Sequence, residues 1–208
     1  MSNEIVAVLL AAGLSNRMGQ KNKLLLKVSD QLSMVRHSVV TLLASKIDHL
    51  YVVVGFEASV VENELRGLPV TIVNNRDYQN GQASSVRAGF SAIDKKYKAV
   101  LLALSDQPFL ISKDIDKFID EFFKTKVEQV FIPYCDEQRG NPIILPKSYV
   151  SEILCSSKNL ACKNYTKKNP HSVHKYETLN QNFFKDLDTP EAYQDFLRIN
   201  NNGQSCPQ

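Results

Sequence analysis

Short, almost uninterrupted apolar runs recur along this chain with helix-patterned segments between them, and that alternation constrains the fold more than any other feature. Ile5 to Leu10, Leu50 to Val54, Val70 to Val73, Ala99 to Leu104 and Val127 to Tyr134 read as strands. Met34 to Ser45, Ala58 to Leu65, Ser84 to Tyr97 and Asp114 to Lys126 read as helices between and after them. In the last of these Ile115, Phe118, Ile119, Phe122 and Phe123 share one helical face. Strands that lack polar alternation are buried on both faces, which requires a parallel sheet covered by helices. Right-handed crossovers then give an α/β, Rossmann-like, doubly wound and mostly parallel sheet. Such sheets bind ligands at the carboxyl ends of their strands.

The last third changes character. "RGNPIILP" reads as a loop entering a short strand, Lys147 to Leu154 and Asn159 to Lys168 as helices, and Val173 to Glu177 as a strand. "DLDTP" precedes a final helix with Thr189 as N-cap and Pro190 in its first position. The expected organisation is one domain over 1–200, with a nucleotide-binding half (1–108), an acceptor-binding half (109–200) carrying a small C-terminal subregion, and a flexible tail (201–208).

Bulk properties remove several classes. With 43% hydrophobic and 23% charged residues the 208-residue chain has the composition of a globular protein with a sizeable core. A net charge of +3 is too weak to argue for nucleic acid. The run Ile5 to Ala12 is too short to span a membrane and no basic segment precedes it, so neither a membrane protein nor a signal peptide is expected. Cys135, Cys155, Cys162 and Cys206 show no C-x-x-C spacing, so ordinary thiols in a reducing cytoplasm are expected. The four histidines (His37, His49, His171, His174) form no metal-ligand set.

The chemistry gathers at strand ends. After the first strand comes "LLAAGLSNRMGQKNKLLL", residues 9–26. It lacks a dinucleotide fingerprint, because Ser15 stands where the second glycine belongs. It is no P-loop either, because five residues separate Gly13 from Gly19 and Gln20 follows. A glycine-bracketed loop after a buried strand still presents backbone N–H groups to an anion. Arg17 can fork onto phosphate oxygens and Lys23 can add a point charge, with Lys21 and Lys27 as weaker candidates. In "LLALSDQP" the strand delivers Asp106, which can hold Mg²⁺ or cap the following helix. Asp186 and Asp188 point the same way on an extended segment, so one of them can complete a metal site or cap the final helix. Between Asn75 and Phe90, Gly81, Ser84 and Ser85 allow a planar base to approach backbone and hydroxyls. Arg139 to Leu145 offers a cation and a turn where an acceptor could sit.

In order, LAAGLSNRMG…KLLL, NGQASSVRAG, SDQP, RGNP and DLDTPE resemble the motifs of the molybdenum cofactor nucleotidyltransferases, and within them the cytidylyltransferase branch. The resemblance runs from Leu9 to about Tyr193. It implies a nucleotide site of Leu10, Ala11, Ala12, Gly13, Ser15, Arg17, Gly19 and Lys23, with Asn75, Gly81, Ser84 and Ser85 near base and ribose. It implies Mg²⁺ on Asp106 with Asp188 or Asp186, catalytic roles for Arg17, Lys23 and Asp106, and an acceptor site of Gln107, Pro108, Arg139, Gly140, Asn141 and Pro142. Ala12 gives LAAG where guanylyl-transferring relatives carry LAGG, which implies CTP. The implied reaction moves CMP from CTP to the terminal phosphate of molybdopterin, and a molybdenum hydroxylase or its maturation factors are the implied recipients. The family's Gly-Asp-x-Gly-Ala-Arg-like stretch is replaced by "SKNLACKNY", where Lys163 can supply charge but not a guanidinium fork. A sugar or polyol phosphate acceptor, GTP as donor, and a non-catalytic cofactor carrier or insertion chaperone are the competing readings.

Overall fold

The computed structural model describes residues 4–14, 22–29, 32–126, 128–156 and 162–203. At its centre lies β1 (Ile5–Ala11), every residue of which is buried. β4 (His49–Val54) and β6 (Ala99–Leu104) pair with it in parallel, one on each side, and β5 (Thr71–Asn74) pairs in parallel with β4. Beyond β6 come β9 (Ile143–Pro146), β7 (Val130–Cys135) and β10 (Val173–Glu177), giving the order β10-β7-β9-β6-β1-β4-β5. β8 (Gln138–Arg139) pairs with the end of β7, and a separate two-stranded ribbon joins β2 (Lys27–Ser29) to β3 (Leu32–Ser33).

Alternate residues of β1 feed two cores. Ile5, Ala7, Leu9 and Ala11 pack with α1 (Met34–Leu43), α2 (Ala58–Glu64), α4 (Ser112–Thr125) and α7 (Pro190–Gly203) through residues such as Val39, Val61, Phe118 and Phe196. Val6, Val8, Leu10 and Ala12 pack with α3 (Gln82–Ser91), α5 (Lys147–Cys155) and α6 (Cys162–Lys168) through Val86, Phe90, Val150 and Tyr165. The sheet is therefore apolar on both faces and wound on both sides, as the continuous strand runs require. α3 sits unusually close: a Cβ on Gly89 would lie 2.5 Å from Val8 Cγ1 and 2.9 Å from Val53 Cγ2.

Three local differences from the sequence reading have physical causes. α3 ends at Ser91 rather than at Tyr97, because Asp94 is drawn down to the sheet: its N–H donates to Tyr51 Oη (3.2 Å) and Tyr51 Oη donates to Asp94 Oδ1 (2.7 Å). β9 runs antiparallel to both β6 and β7. No helix separates β7 from β9; the chain turns at Asp136, which adopts φ 51°, and a return without a crossover must be antiparallel. β7 begins at Val130, and the expected strand start at Val127 lies outside the described residues, as do the first residues of the Asn159 to Lys168 helix and tail residues 204–208. Thr189 caps α7 as expected, its Oγ1 accepting from Ala192 N at 3.2 Å. Among the described residues no helix is long and apolar enough to cross a membrane.

Candidate active site

The chain leaves β1 toward β4 on one side and β6 lies on the other, so the boundary between β1 and β6 is a topological switch point. A cleft of about 670 Å³ opens there. Ala12, Gly13 and Leu14 form one wall, and Ser105 and Asp106, just past β6, form its floor. Ser105 Oγ donates to Leu10 O at 2.8 Å and fastens the two strand ends together.

Lys23 reaches the cleft because the residues around it are anchored. Asn22 Oδ1 accepts from Leu24 N at 3.1 Å, opening a 3₁₀ turn over Lys23–Leu25, and Leu24 is 3% exposed in the core. With Leu24 pointing inward, Lys23 projects into the opening. Its Nζ donates to Asp106 Oδ2 at 2.6 Å and to Asp188 Oδ1 at 2.7 Å. All three side chains are largely shielded, at 14%, 18% and 22% exposure respectively. Burial works against the Lys23 charge, but attraction to Asp106 and the hydrogen bonds to both carboxylates outweigh it and raise the ammonium pKa above its ordinary value. Asp186 also lines the cleft; burial first, and then repulsion from Asp188 and Asp106, push its pKa up.

The opposite wall begins where α3 begins. Gly81, at φ 85°, turns the chain into α3, and Gly81, Gln82, Ser85 and Val86 face the cleft. Asn75 lies behind this wall at 4% exposure, with Nδ2 donating to Ser84 Oγ (2.9 Å) and Ser85 Oγ (3.0 Å). Ser84 Oγ lies 2.8 Å from both Gly81 O and Asp77 O and holds the turn rather than the opening. Leu10 lines the cleft, whereas Ala11 is in the core on the other face of the sheet. Ser15, Arg17, Gly19 and Lys21 lie outside the described residues.

At the far end Arg139 and Asn141 line the cleft with Cys162 and Lys163. Arg139 donates to Thr166 Oγ1 at 2.7 Å, and burial lowers its pKa. Burial pushes the Cys162 thiol up to about 12 against the opposing charge of Arg139, so it is not a thiolate at neutral pH. Gln107, Pro108, Gly140 and Pro142 stand off the cleft. Gln107 is 5% exposed and Gly140 abuts Phe183 and Phe184. Pro108 presents its carbonyl to His37, and Pro142 lines a small void under the SDQP loop. The cleft also has walls that the motifs did not mark: Tyr78, Gln79, Leu102 and Cys162. Tyr78 carries a readable signal, since it sits three residues before the Gly81 that turns the chain into α3.

A divalent cation fits the carboxylate pair. Both oxygens converge on one cationic nitrogen, and Asp106 Oδ1 is buried with no hydrogen-bond partner among the described residues. Hard cations take such oxygen sets, often with only one or two carboxylates alongside substrate phosphates. Among the described residues no group of three or more His, Cys, Asp or Glu surrounds a metal position, so substrate oxygens would supply the remaining ligands.

Comparison with known proteins agrees with this geometry. A family profile described as MobA-like NTP transferase domain matches residues 7–171. Nicotine blue oxidoreductase of Paenarthrobacter nicotinovorans is 25% identical over 192 residues, covering 90% of this chain and 93% of that protein. A nucleotidyl transferase from Methanothermobacter superposes with a TM-score of 0.77 at 19% identity, covering 95% of this chain and 99% of the other. A Mycobacterium tuberculosis protein solved in complex with manganese superposes with a TM-score of 0.74 at 19% identity, covering 95% and 100%.

Proposed function

The chain belongs to the MobA-like NTP transferase family, and we propose that it transfers CMP from CTP to the terminal phosphate of molybdopterin, forming molybdopterin cytosine dinucleotide. The observation that carries this reading is the meeting of Lys23, Asp106 and Asp188 at the switch-point cleft. It brings together one cation and two carboxylates drawn from three distant parts of the sequence, at the place where doubly wound sheets bind nucleotides. In this reading residues 1–108 hold the nucleotide and 109–200 hold the acceptor.

A phosphate oxygen of the acceptor attacks the α-phosphorus of CTP, the bond from that phosphorus to the bridging oxygen breaks, and pyrophosphate leaves with its electron pair. The nucleophile is already an anion, so the site needs no strong base, and its work is placement and charge neutralisation. Mg²⁺ or Mn²⁺ held by Asp106 and Asp188 would supply neutralising charge between the two anions. Lys23 stays protonated, because its two carboxylate partners raise its pKa, and is the donor for charge that builds on pyrophosphate. The motif assigns Arg17 the same task. The N-terminus of α3 faces the opening, where its dipole favours the anionic nucleotide. Ala12, Ser85 and the Gly81 turn bound the space assigned to the cytosine, and Arg139 and Asn141 the space assigned to the pterin.

The manganese bound by the structurally similar mycobacterial protein supports a divalent cation, and the LAAG segment supports CTP over GTP. A second reading follows from the relative named for oxidoreduction, which aligns along 90% of this chain. One experiment separates them. The protein is incubated with Mg²⁺, CTP or GTP, and molybdopterin, a sugar phosphate or a polyol phosphate, and pyrophosphate is measured; parallel samples receive a reduced nicotinamide cofactor and a reducible dye as electron acceptor. Pyrophosphate release that requires both CTP and molybdopterin is the expected result. Release only with a sugar or polyol phosphate changes the acceptor. Cofactor oxidation without pyrophosphate, or molybdopterin binding without any turnover, overturns the transferase reading in favour of an oxidoreductase or a carrier.

A further inference from the structure

The SDQP and RGNP segments, read separately as ligand-facing loops, meet at one backbone atom three residues ahead of DLDTP. The carbonyl oxygen of Phe183 accepts from Gln107 Nε2 (3.2 Å) and from Asn141 N (2.9 Å). Gly140 lies against the same oxygen: a Cβ there would come within 2.7 Å of Phe183 O. The Phe183 side chain is 2% exposed and packs on Phe118, with ring centroids 5.5 Å apart, so the residue is anchored from both sides. Four residues after Phe183, Leu187 N donates to the backbone carbonyl of Asp106 at 2.9 Å, and Asp188 follows.

We infer that Gln107 is a positioning residue that, through the Phe183 carbonyl, sets the spacing between the Asp106 and Asp188 carboxylates. The inference rests on the nucleotidyl-transfer reading for its effect on turnover, though not for its structural part. Gln107 adjoins Asp106 in sequence, and its side chain points away from the cleft into the 183–188 segment that delivers Asp188. Its amide orientation is fixed, because a carbonyl partner admits only the NH₂ end. Gln107 and Gly140 thus serve one purpose by different means: the first pulls the Phe183 carbonyl in, and the second leaves room for it. Among the described residues no hydrogen bond joins the walls at Ala12 to Leu14 and Gly81 to Val86 to this junction, so the share of nucleotide affinity that these walls supply is separable from carboxylate spacing.

The test uses Gln107→Leu, which keeps the bulk and removes the donor, and Gly140→Ala, which displaces the same oxygen by contact. Amide exchange at Leu187 is followed in the full chain, along with kcat and the KM for CTP. Both variants should exchange Leu187 faster and lose about ten- to a hundredfold in kcat, the scale of a small misplacement in a reacting site. The KM for CTP should stay within about twofold of the original value, marking a loss made only in the transition state. Leu187 exchange at the original rate in a folded variant, or a loss confined to KM, overturns the inference. If the unaltered protein releases no pyrophosphate from CTP, the proposed function fails, while Leu187 exchange still decides whether Gln107 holds the segment. Should Gln107→Leu not fold, Gly140→Ala decides the matter by the same measurements.

Discussion

Lys23 Nζ lies 2.6 Å from Oδ2 of Asp106, a residue 83 positions further along the chain. The contact crosses the switch point and leaves the other Asp106 oxygen, Oδ1, buried with no partner among the described residues. Asp106→Asn keeps the size of this side chain and removes its charge. Turnover should fall by about two to three orders of magnitude, the effect of losing one strong electrostatic contact in a transition state. Circular dichroism should show the fold intact, because Asp106 lies past the end of β6 and its backbone contacts survive. Near-original pyrophosphate release from the variant would remove Asp106 from the centre of the site.

In the proposed reaction Lys23 and a divalent cation address the same two carboxylates. The ammonium is a counter-charge already in place, and its raised pKa keeps it charged throughout the neutral range. In nucleotide-free protein Lys23→Met should therefore bind Mn²⁺ more tightly than the original, read as depletion of the free Mn²⁺ signal in electron paramagnetic resonance. With CTP and acceptor present the same variant should be slower by about two orders of magnitude, because charge on the departing pyrophosphate loses its donor. Equal Mn²⁺ affinity in both proteins would mean that Lys23 does not stand at the metal position.

Much of this arrangement is legible in the sequence because it depends on local pattern. The unbroken run from Ile5 to Ala11 and the run Ala99–Leu104 each declare a doubly buried strand, and each ends where the cleft begins. Leu24 explains how Lys23 is aimed: a leucine that enters the core turns its neighbour outward. What local pattern does not carry is set by partners far along the chain. Asn75 reads as a base contact, yet its buried amide holds Ser84 and Ser85 from behind. The resemblance assigns Gln107 and Gly140 to the acceptor, but Gln107 donates to a carbonyl 76 residues away and Gly140 packs against that same carbonyl. Likewise, the antiparallel course of β9 depends on a missing helix and a left-handed Asp136, which hydrophobic periodicity does not register.

His37 predicts a pH dependence of stability. Its Nε2 lies 3.1 Å from Pro108 O, and since a carbonyl only accepts, that nitrogen carries the proton. Burial lowers the ring's pKa below the ordinary 6.5, and the bond to Pro108 offsets only part of this. The unfolded chain therefore binds a proton that the folded chain resists, and the His37 contribution is present above pH 6.5 and lost as pH falls through the depressed value. The melting temperature should drop between about pH 7 and pH 5, and His37→Gln, whose amide can still donate to Pro108, should flatten that part of the profile. An unchanged profile in the variant would show that His37 is not the group responsible.

Arg87 ties α3 to the end of α5. It projects from α3 and donates to three carbonyls at the end of α5: Ile153 O (2.8 Å), Ser156 O (3.1 Å) and Leu154 O (3.0 Å). These belong to the last turn, whose carbonyls have no partners within the helix, so one guanidinium satisfies the terminus and places a positive charge at its negative end. Arg87→Met keeps the apolar stem and removes the fork. It should cost about 2 kcal/mol, given hydrogen bonds to a charged donor in a half-buried setting. For a chain of this size that corresponds to a fall of about 4–8 °C in melting temperature. Arg87→Lys should recover only part of the loss, because a single ammonium cannot reproduce the fixed fork of the guanidinium. Calorimetry on the three proteins checks the order: full stability for Arg, intermediate for Lys, lowest for Met. A lysine variant as stable as the original would show that charge alone holds the end of α5.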